Sequence, residues 1–335
     1  MTSTWTLHRL AASVLGPREA SEVLETLTVV PSLAGDGPSV SRAQLAMALN
    51  AILFSQLLSR VPTAARYVAD VVARGERIHL DHGALRTIDG PTGGLPSGHR
   101  AFARFLEPLG YEVAGLYPLP RLHMTGRAFA HKDLPEDIPQ FFVSELHVSE
   151  LPDETQAAAA KVFGTSIDPL GTVEWALLDA LARAGACDLD MAVAGLPGLV
   201  RAFGVQQAVP ALADYETLLA ASAEGAWIAT EGNAFNHATD RVPDVVALSD
   251  ELKAQGYPLK QAVEVSANGR VRQTAFLADK VVRRFTLPDG STVEREVPGS
   301  FYEFISRDPI PESDTIDLTF DSGNATGIFA VTQAR

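Results

Sequence analysis

Histidine and arginine stand four residues apart three times in this chain: His82 and Arg86 in HGALR, His123 and Arg127 in HMTGR, and His237 and Arg241 in HATDR. With only 8 histidines among 335 residues, chance would supply about half of one such pair. On an extended strand residues four apart share a face, so each pair would aim an imidazole and a guanidinium at the same space. A carboxylate joins them further along. Glu303 alternates with Tyr302 and Phe304 in SFYEFISR, a run otherwise suited to a buried strand. A carboxylate there needs a partner, either an arginine on an exposed sheet face or a metal. Two imidazoles and one carboxylate form the facial set that binds Fe(II) and leaves positions open for substrate and oxygen. The residue types alone leave both readings standing.

The elements that position these side chains can be read from the apolar spacing. Residues 1–76 are helical: SRAQLAMALNAILFSQLLSRV keeps apolar residues at three-and-four spacing, and TAARYVADVVARG continues after Pro62. Residues 77–150 change texture. RIHLDHGALRTI is a strand, the Gly/Pro-rich DGPTGGLPSG a loop, HRAFARFLEPLG an amphipathic helix, and YEVAGLYPL, RLHMTGRAFA and QFFVSELHV are strands. Residues 151–224 return to helix, with an Ala-rich segment at 155–163, TVEWALLDALARAG and VPALADYETLLAASAEG. Residues 225–308 repeat the order of a strand, a helix and further strands: AWIATEGNAFNHATDR as a strand, VPDVVALSDELKAQG as a helix with Pro243 near its start, then RVRQTAFLA, VVRRFTL and TVEREV as strands and SFYEFISR as the closing strand. A strand tail occupies 309–335. The expected fold is α+β, one unit built of two β-α-β-β-β modules with a helical N-terminal region and a helical insert. Two of the three His/Arg pairs fall on the opening strands of these modules.

Composition excludes several classes of function. Hydrophobic residues are 46% and charged residues 20% of the chain, the profile of a folded soluble protein. The longest apolar run, LAMALNAILF (45–54), is too short to span a bilayer and contains Asn50. The net charge of −14 and the lack of a dense basic patch argue against nucleic acid. The single cysteine, Cys187, excludes an intramolecular disulfide and a multi-cysteine metal site, and suits a reducing cytoplasm. MTSTWTLHRLAASVLG has no lysine-led segment and does not read as a signal peptide. No Lys-Ser or Lys-Thr follows GPTGGLPSG, so it is no phosphate cradle, and there is no Gly-x-Ser-x-Gly elbow.

HGALR, EGNAFNHATDRVPDV, GSFYEFISR and the tail FDSGNATGIF resemble the 2-oxoadipate dioxygenase/decarboxylase family, also called hydroxyglutarate synthase, within the vicinal oxygen chelate superfamily. The resemblance runs from about residue 77 onward. It implies that His82, His237 and Glu303 bind Fe(2+), that Arg86 holds a substrate carboxylate, and that the paired modules supply ligands from their opening and closing strands. It further implies an oxygenase of lysine catabolism that takes a 2-oxo acid and O2, decarboxylates the acid and hydroxylates it, converting 2-oxoadipate to 2-hydroxyglutarate. One departure bears on substrate: the better-known bacterial members have longer chains. Arg241 and Ser322 or Asn324 are expected near the same pocket. No membrane or nucleic-acid partner is expected.

Other residues are weighed beside these. Glu145 and His147 close the first module, where pseudo-symmetry with Glu303 would put a fourth ligand, and a supporting role is the expectation for both. His79, His123 and His131 are lesser metal candidates, and Asn233, Asn236 and Asp240 are expected to orient the strand end. A glyoxalase-like isomerase or hydrolase using a metal as Lewis acid and a non-catalytic small-ligand binder of the same fold are the alternatives. A fourth ligand would favour the former, and binding that survives loss of the two histidines and Glu303 the latter.

Overall fold

In the computed structural model, which describes residues 6–313 and 315–321, the N-terminal stretch forms α1 (Thr6–Leu15), α2 (Pro17–Thr26), the short β1 (Ser39–Ser41), α3 (Arg42–Arg60) and α4 (Pro62–Ala73). A capping box starts α3: the Ser41 hydroxyl accepts from the Gln44 amide, and the Gln44 side chain accepts from the Ser41 amide. The apolar run Leu45–Phe54 of α3 is buried throughout. Its one amide, Asn50, is fully buried and donates to the Ala46 carbonyl and to the Tyr111 hydroxyl. No single helix among the described residues is long and apolar enough to cross a membrane.

The first module follows as β2 (Leu80–Asp89), α5 (Arg100–Leu106), β3 (Tyr111–Leu119), β4 (Met124–His131) and β5 (Gln140–His147). The insert holds α6 (Asp153–Phe163), α7 (Thr172–Ala184), β6 (Ala186–Asp188), α8 (Leu189–Arg201), α9 (Leu212–Ala221) and α10 (Ala223–Glu231). The second module is β7 (His237–Arg241), α11 (Val245–Ala254), β8 (Glu264–Val265), β9 (Val271–Ala275), β10 (Lys280–Thr286), β11 (Thr292–Pro298) and β12 (Phe301–Arg307).

Eight strands form one sheet in the order β3-β4-β5-β2-β7-β12-β9-β8. Read outward from its centre, the sheet repeats itself. The opening strands β2 and β7 lie side by side antiparallel, and each is flanked by the closing strand of its own module, β5 or β12, in parallel. The α+β fold of paired β-α-β-β-β modules is therefore what the chain adopts.

Two expectations fail in detail. AWIATEGNAF is not the start of a strand. Its first part is α10, opened by the Ser222 hydroxyl accepting from the Gly225 amide and closed at Gly232, whose φ of 63° ends the helix. Trp227, Ile228 and Thr230 favour strands in isolation, but here the helix is buried from Glu224 to Glu231. Nor do VVRRFTL and TVEREV join the main sheet. β10 and β11 form a separate antiparallel hairpin outside that sheet, so β8 and β9 take the outer places of the second module.

The junction of the two modules leaves no room beside the first histidine. A Cβ on Gly83 would lie 2.1 Å from the Phe235 ring, so only glycine lets the loop before β7 close against β2.

Candidate metal centre

Strand register brings three of the sequence candidates together. Gly83 stands opposite Ala238 and Ala84 opposite His237 in the β2/β7 pair, and Phe301 stands beside His237 and Glu303 beside Thr239 in the β12/β7 pair. His82, Ala84 and Arg86 share one face of β2, as His237, Thr239 and Arg241 do on β7 and Phe301, Glu303 and Arg307 on β12. One ligand atom from each of His82, His237 and Glu303 lies within 4.8 Å of the others, and all three residues are buried. Glu303 Oε2 is 3.0 Å from His237 Nε2 and 3.4 Å from His82 Nε2. The Thr239 hydroxyl donates to Glu303 Oε2 at 2.8 Å and lies 3.1 Å from His82 Nε2.

The electrostatics follow from this closeness. Burial by itself would raise the Glu303 carboxyl, but His237 and His82 beside it hold it far below the usual carboxylate range. Burial pushes the His237 imidazole down, with Glu303 opposing. For His82 burial acts the same way, but the hydrogen bonds and charges of Asp81 and Glu303 outweigh it and raise the imidazole. Two imidazole nitrogens and one carboxylate oxygen, buried and convergent, are a donor set that fits a divalent metal.

A pocket opens from this cluster. Its apolar walls are Ala84, Phe142 and Phe320, and its polar walls are Ser144, Asn236, Gln273 and Asp321. The Phe320 ring meets His82 edge-on at 4.8 Å and Phe142 at 4.9 Å. Segment 317–321 is drawn over the pocket by Arg307, which donates to the carbonyls of Asp317 and Thr319, and by the Phe320 amide donating to the Tyr117 hydroxyl.

Arg86 shares the strand face of His82 but does not line this pocket. It is 1% exposed, forms an ion pair with Glu224 of α10 at 2.8 Å, and stacks over Trp227 at 4.7 Å. Burial raises the Glu224 carboxyl to about 7, with Arg86 opposing. Arg241 is also outside the lining: its Nε donates to Asp81 at 2.6 Å and its Nη1 to the Glu136 carbonyl. Ser322 and Asn324 lie outside the described residues.

Register removes Glu145 and His147 from the fourth-ligand place that pseudo-symmetry offered them, in keeping with the supporting role expected of both. Glu303 stands beside Thr239, whose counterpart in the first module is Ala84, and the residue beside Ala84 is Phe142. Glu145 and His147 have the opposite parity on β5 and point to the other face. There Glu145 pairs with Arg127 and His99, and His147 with Asp89 and Thr125. His123, of the third His/Arg pair, bonds Glu150. His131 faces the Leu109 carbonyl and is pushed down to about 4 by burial. Asp240 accepts from Tyr67 and from the His79 amide, and Asn233 donates to the Arg86 carbonyl.

Some residues around the site carried no signal in the sequence. Asp81 hydrogen-bonds His82 Nδ1 at 2.8 Å, and it does so because it sits at an irregularity between Leu80 and His82 that strict alternation does not anticipate. Phe320 and Gln273 reach the pocket from positions with no motif. A carboxylate beside a candidate ligand histidine was the one clue on offer.

A sequence model of the family described as 2-oxoadipate dioxygenase/decarboxylase matches residues 53–314. A curated member from Oryza sativa subsp. japonica is 25% identical over 307 residues, 82% of this chain and 75% of its own. Among solved structures, a protein from Ralstonia eutropha JMP134 described as glyoxalase superfamily is 50% identical, with a TM-score of 0.91 over 94% of this chain and 98% of the other. The hydroxyglutarate synthase of Oryza sativa, solved with 2-oxoadipate, shares the fold at 22% identity, with a TM-score of 0.68 over 90% of this chain and 97% of that one.

Proposed function

The chain belongs to the 2-oxoadipate dioxygenase/decarboxylase family and is an enzyme of that class; on this footing we propose that it uses Fe(II) to convert 2-oxoadipate and O2 into 2-hydroxyglutarate and CO2. The observation that carries the reading is the buried His82, His237 and Glu303 cluster with its ligand atoms within 4.8 Å of one another at the base of a pocket. These three residues would hold the metal, which when bound supplies the redox centre for O2 and a Lewis acid for the oxo acid.

The chain's own residues do the rest. Phe142 and Phe320 exclude water from the pocket, which strengthens every charge interaction inside it. Ser144, Asn236 and Gln273 offer hydrogen bonds to the oxygens of the bound acid. Arg86 is kept as the carboxylate clamp of this proposal: it shares the His82 strand face but sits outside the pocket lining, paired with Glu224 and stacked on Trp227, so it would exchange Glu224 for the substrate carboxylate. Ser322 and Asn324 complete the substrate contacts in this reading. Arg241, committed to Asp81, serves the His82 side of the site.

Oxygen uptake by Fe(II)-loaded protein on a panel of 2-oxo acids, without added 2-oxoglutarate, tests the proposal. Uptake should be fastest with 2-oxoadipate and match CO2 release and hydroxy-acid formation in equal amounts. Turnover unchanged under argon would overturn it in favour of an isomerase or hydrolase.

A further inference from the structure

The two candidate ligand histidines are held in different ways. His82 Nδ1 donates to Asp81 Oδ1 at 2.8 Å, whereas His237 Nδ1 is buried with no hydrogen-bond partner among the described residues. The residue before His237 is Asn236, the counterpart of Asp81, and its Oδ1 is likewise buried without a partner.

Asp81 in turn is gripped from two sides. Arg307 donates Nε to Oδ2 and Nη2 to Oδ1, each at 2.9 Å, a planar fork on both oxygens. Arg241 Nε adds a bond of 2.6 Å to Oδ2. The side chains of Asp81 and Arg307 are 0% exposed. Burying a carboxylate and the Arg307 guanidinium carries a large desolvation cost before any pairing is counted, and apolar side chains would fill the same space at no such cost. Arg307 also donates to the Asp317 and Thr319 carbonyls and stacks at 5.1 Å over Phe320, the ring that meets His82 edge-on.

We propose that Asp81, aimed by Arg307 and Arg241, is a positioning residue for the metal centre: it fixes the His82 ring with hydrogen on Nδ1 and the Nε2 lone pair turned toward Glu303 and His237. A hydrogen bond to the distal nitrogen of a ligand histidine sets both tautomer and ring orientation. Because one guanidinium holds Asp81 and segment 317–321 together, the ligand and the roof of the pocket share an anchor. The inference rests on the metal reading above and adds an asymmetry to it: the His82 ring is preset through Nδ1, whereas His237 Nδ1 has no such partner among the described residues.

Cobalt(II) is the probe, since its visible spectrum reports ligand geometry without turnover. Wild-type protein and Asp81→Asn are titrated against a chromophoric chelator, with His82→Ala as the reference for a lost ligand. Asp81→Asn should bind cobalt roughly 10- to 100-fold more weakly than wild type, with an altered visible band. Arg307→Lys keeps the charge but cannot fork both carboxylate oxygens, and should weaken binding several-fold. Should Asp81→Asn fail to fold, Arg307→Lys decides. A folded variant with wild-type cobalt affinity and spectrum overturns the inference while leaving the metal site itself intact. Wild-type protein that binds no more cobalt than His82→Ala overturns the metal reading, and this inference with it.

Discussion

The two modules share one backbone plan and differ at the positions that matter. His82 and His237 are counterparts, as are Arg86 and Arg241. Beside them, Ala84 answers to Thr239, Leu85 to Asp240 and, on the closing strands, Phe142 to Glu303. A doubled scaffold hands the centre two equivalent imidazoles almost by symmetry. The third candidate ligand, Glu303, comes from one module only. Where the second module places a carboxylate, the first places an aromatic ring that lines the pocket. A site with a ligand at both positions would be closed on that side; in the proposed reading the broken symmetry leaves room for a substrate. The arginines diverge in the same manner: Arg86 meets Glu224 and Trp227, and Arg241 meets Asp81.

The largest effect should come from removing what the modules share. His237→Ala should lose both bound Fe(II) and oxygen uptake to background, read by metal analysis and an oxygen electrode; retained iron and rate would remove His237 from the centre. Restoring the symmetry is the sharper test. Phe142→Glu puts a carboxylate at the counterpart of Glu303, so it should keep iron and lose uptake with 2-oxoadipate. Uptake near the wild-type rate would mean that the face beside Phe142 is not where substrate or oxygen enters.

Arg86→Ala should leave iron content unchanged and lower kcat/KM for 2-oxoadipate by roughly 30- to 1,000-fold, the loss of a charge-assisted contact of about 2–4 kcal/mol. Arg86→Lys should recover part of it, since an ammonium keeps the charge without the fork. Unchanged kinetics for Arg86→Ala would rule out the clamp.

The smallest effect contrasts Asp240 with Leu85. Burial raises the Asp240 carboxyl from 3.8 to about 7, against the hydrogen bonds from Tyr67 and the His79 amide. Its folded pKa thus lies above its unfolded one, so the folded state holds a proton that the unfolded chain releases. The stability this gives falls as pH rises from 3.8 to about 7. Asp240→Asn removes the dependence. Its stability relative to wild type should grow between pH 5 and 8, by on the order of 1–3 kcal/mol, measured by denaturant titration. A difference flat with pH would show that Asp240 stays ionised in the fold.

The two histidines and Glu303 stood out as candidates because alternation on strands is a strong rule and the repeat marked two of the three His/Arg pairs; the family resemblance is what joined them into one set. The β-α-β-β-β order of the first module could be read for the same reason. Reading failed where long-range packing overrides local preference. AWIATE favours a strand by residue type, but the Ser222 cap and the Gly232 stop fold it as α10. Alternation also cannot say which partner a strand chooses, so the β10-β11 hairpin was indistinguishable from main-sheet strands. Asp81 escaped because an irregularity in β2 turns it toward its own neighbour, and Arg307 because its partner lies 226 residues away.

The central claim is that the open side of a three-ligand centre lets O2 enter the product. Turnover of 2-oxoadipate by the Fe(II)-loaded protein under labelled O2, followed by mass spectrometry of the product, tests it directly. The account predicts 2-hydroxyglutarate carrying one labelled oxygen in its hydroxyl and one in its new carboxylate, with the released CO2 unlabelled. Product formed at the same rate with no label in it would contradict the account.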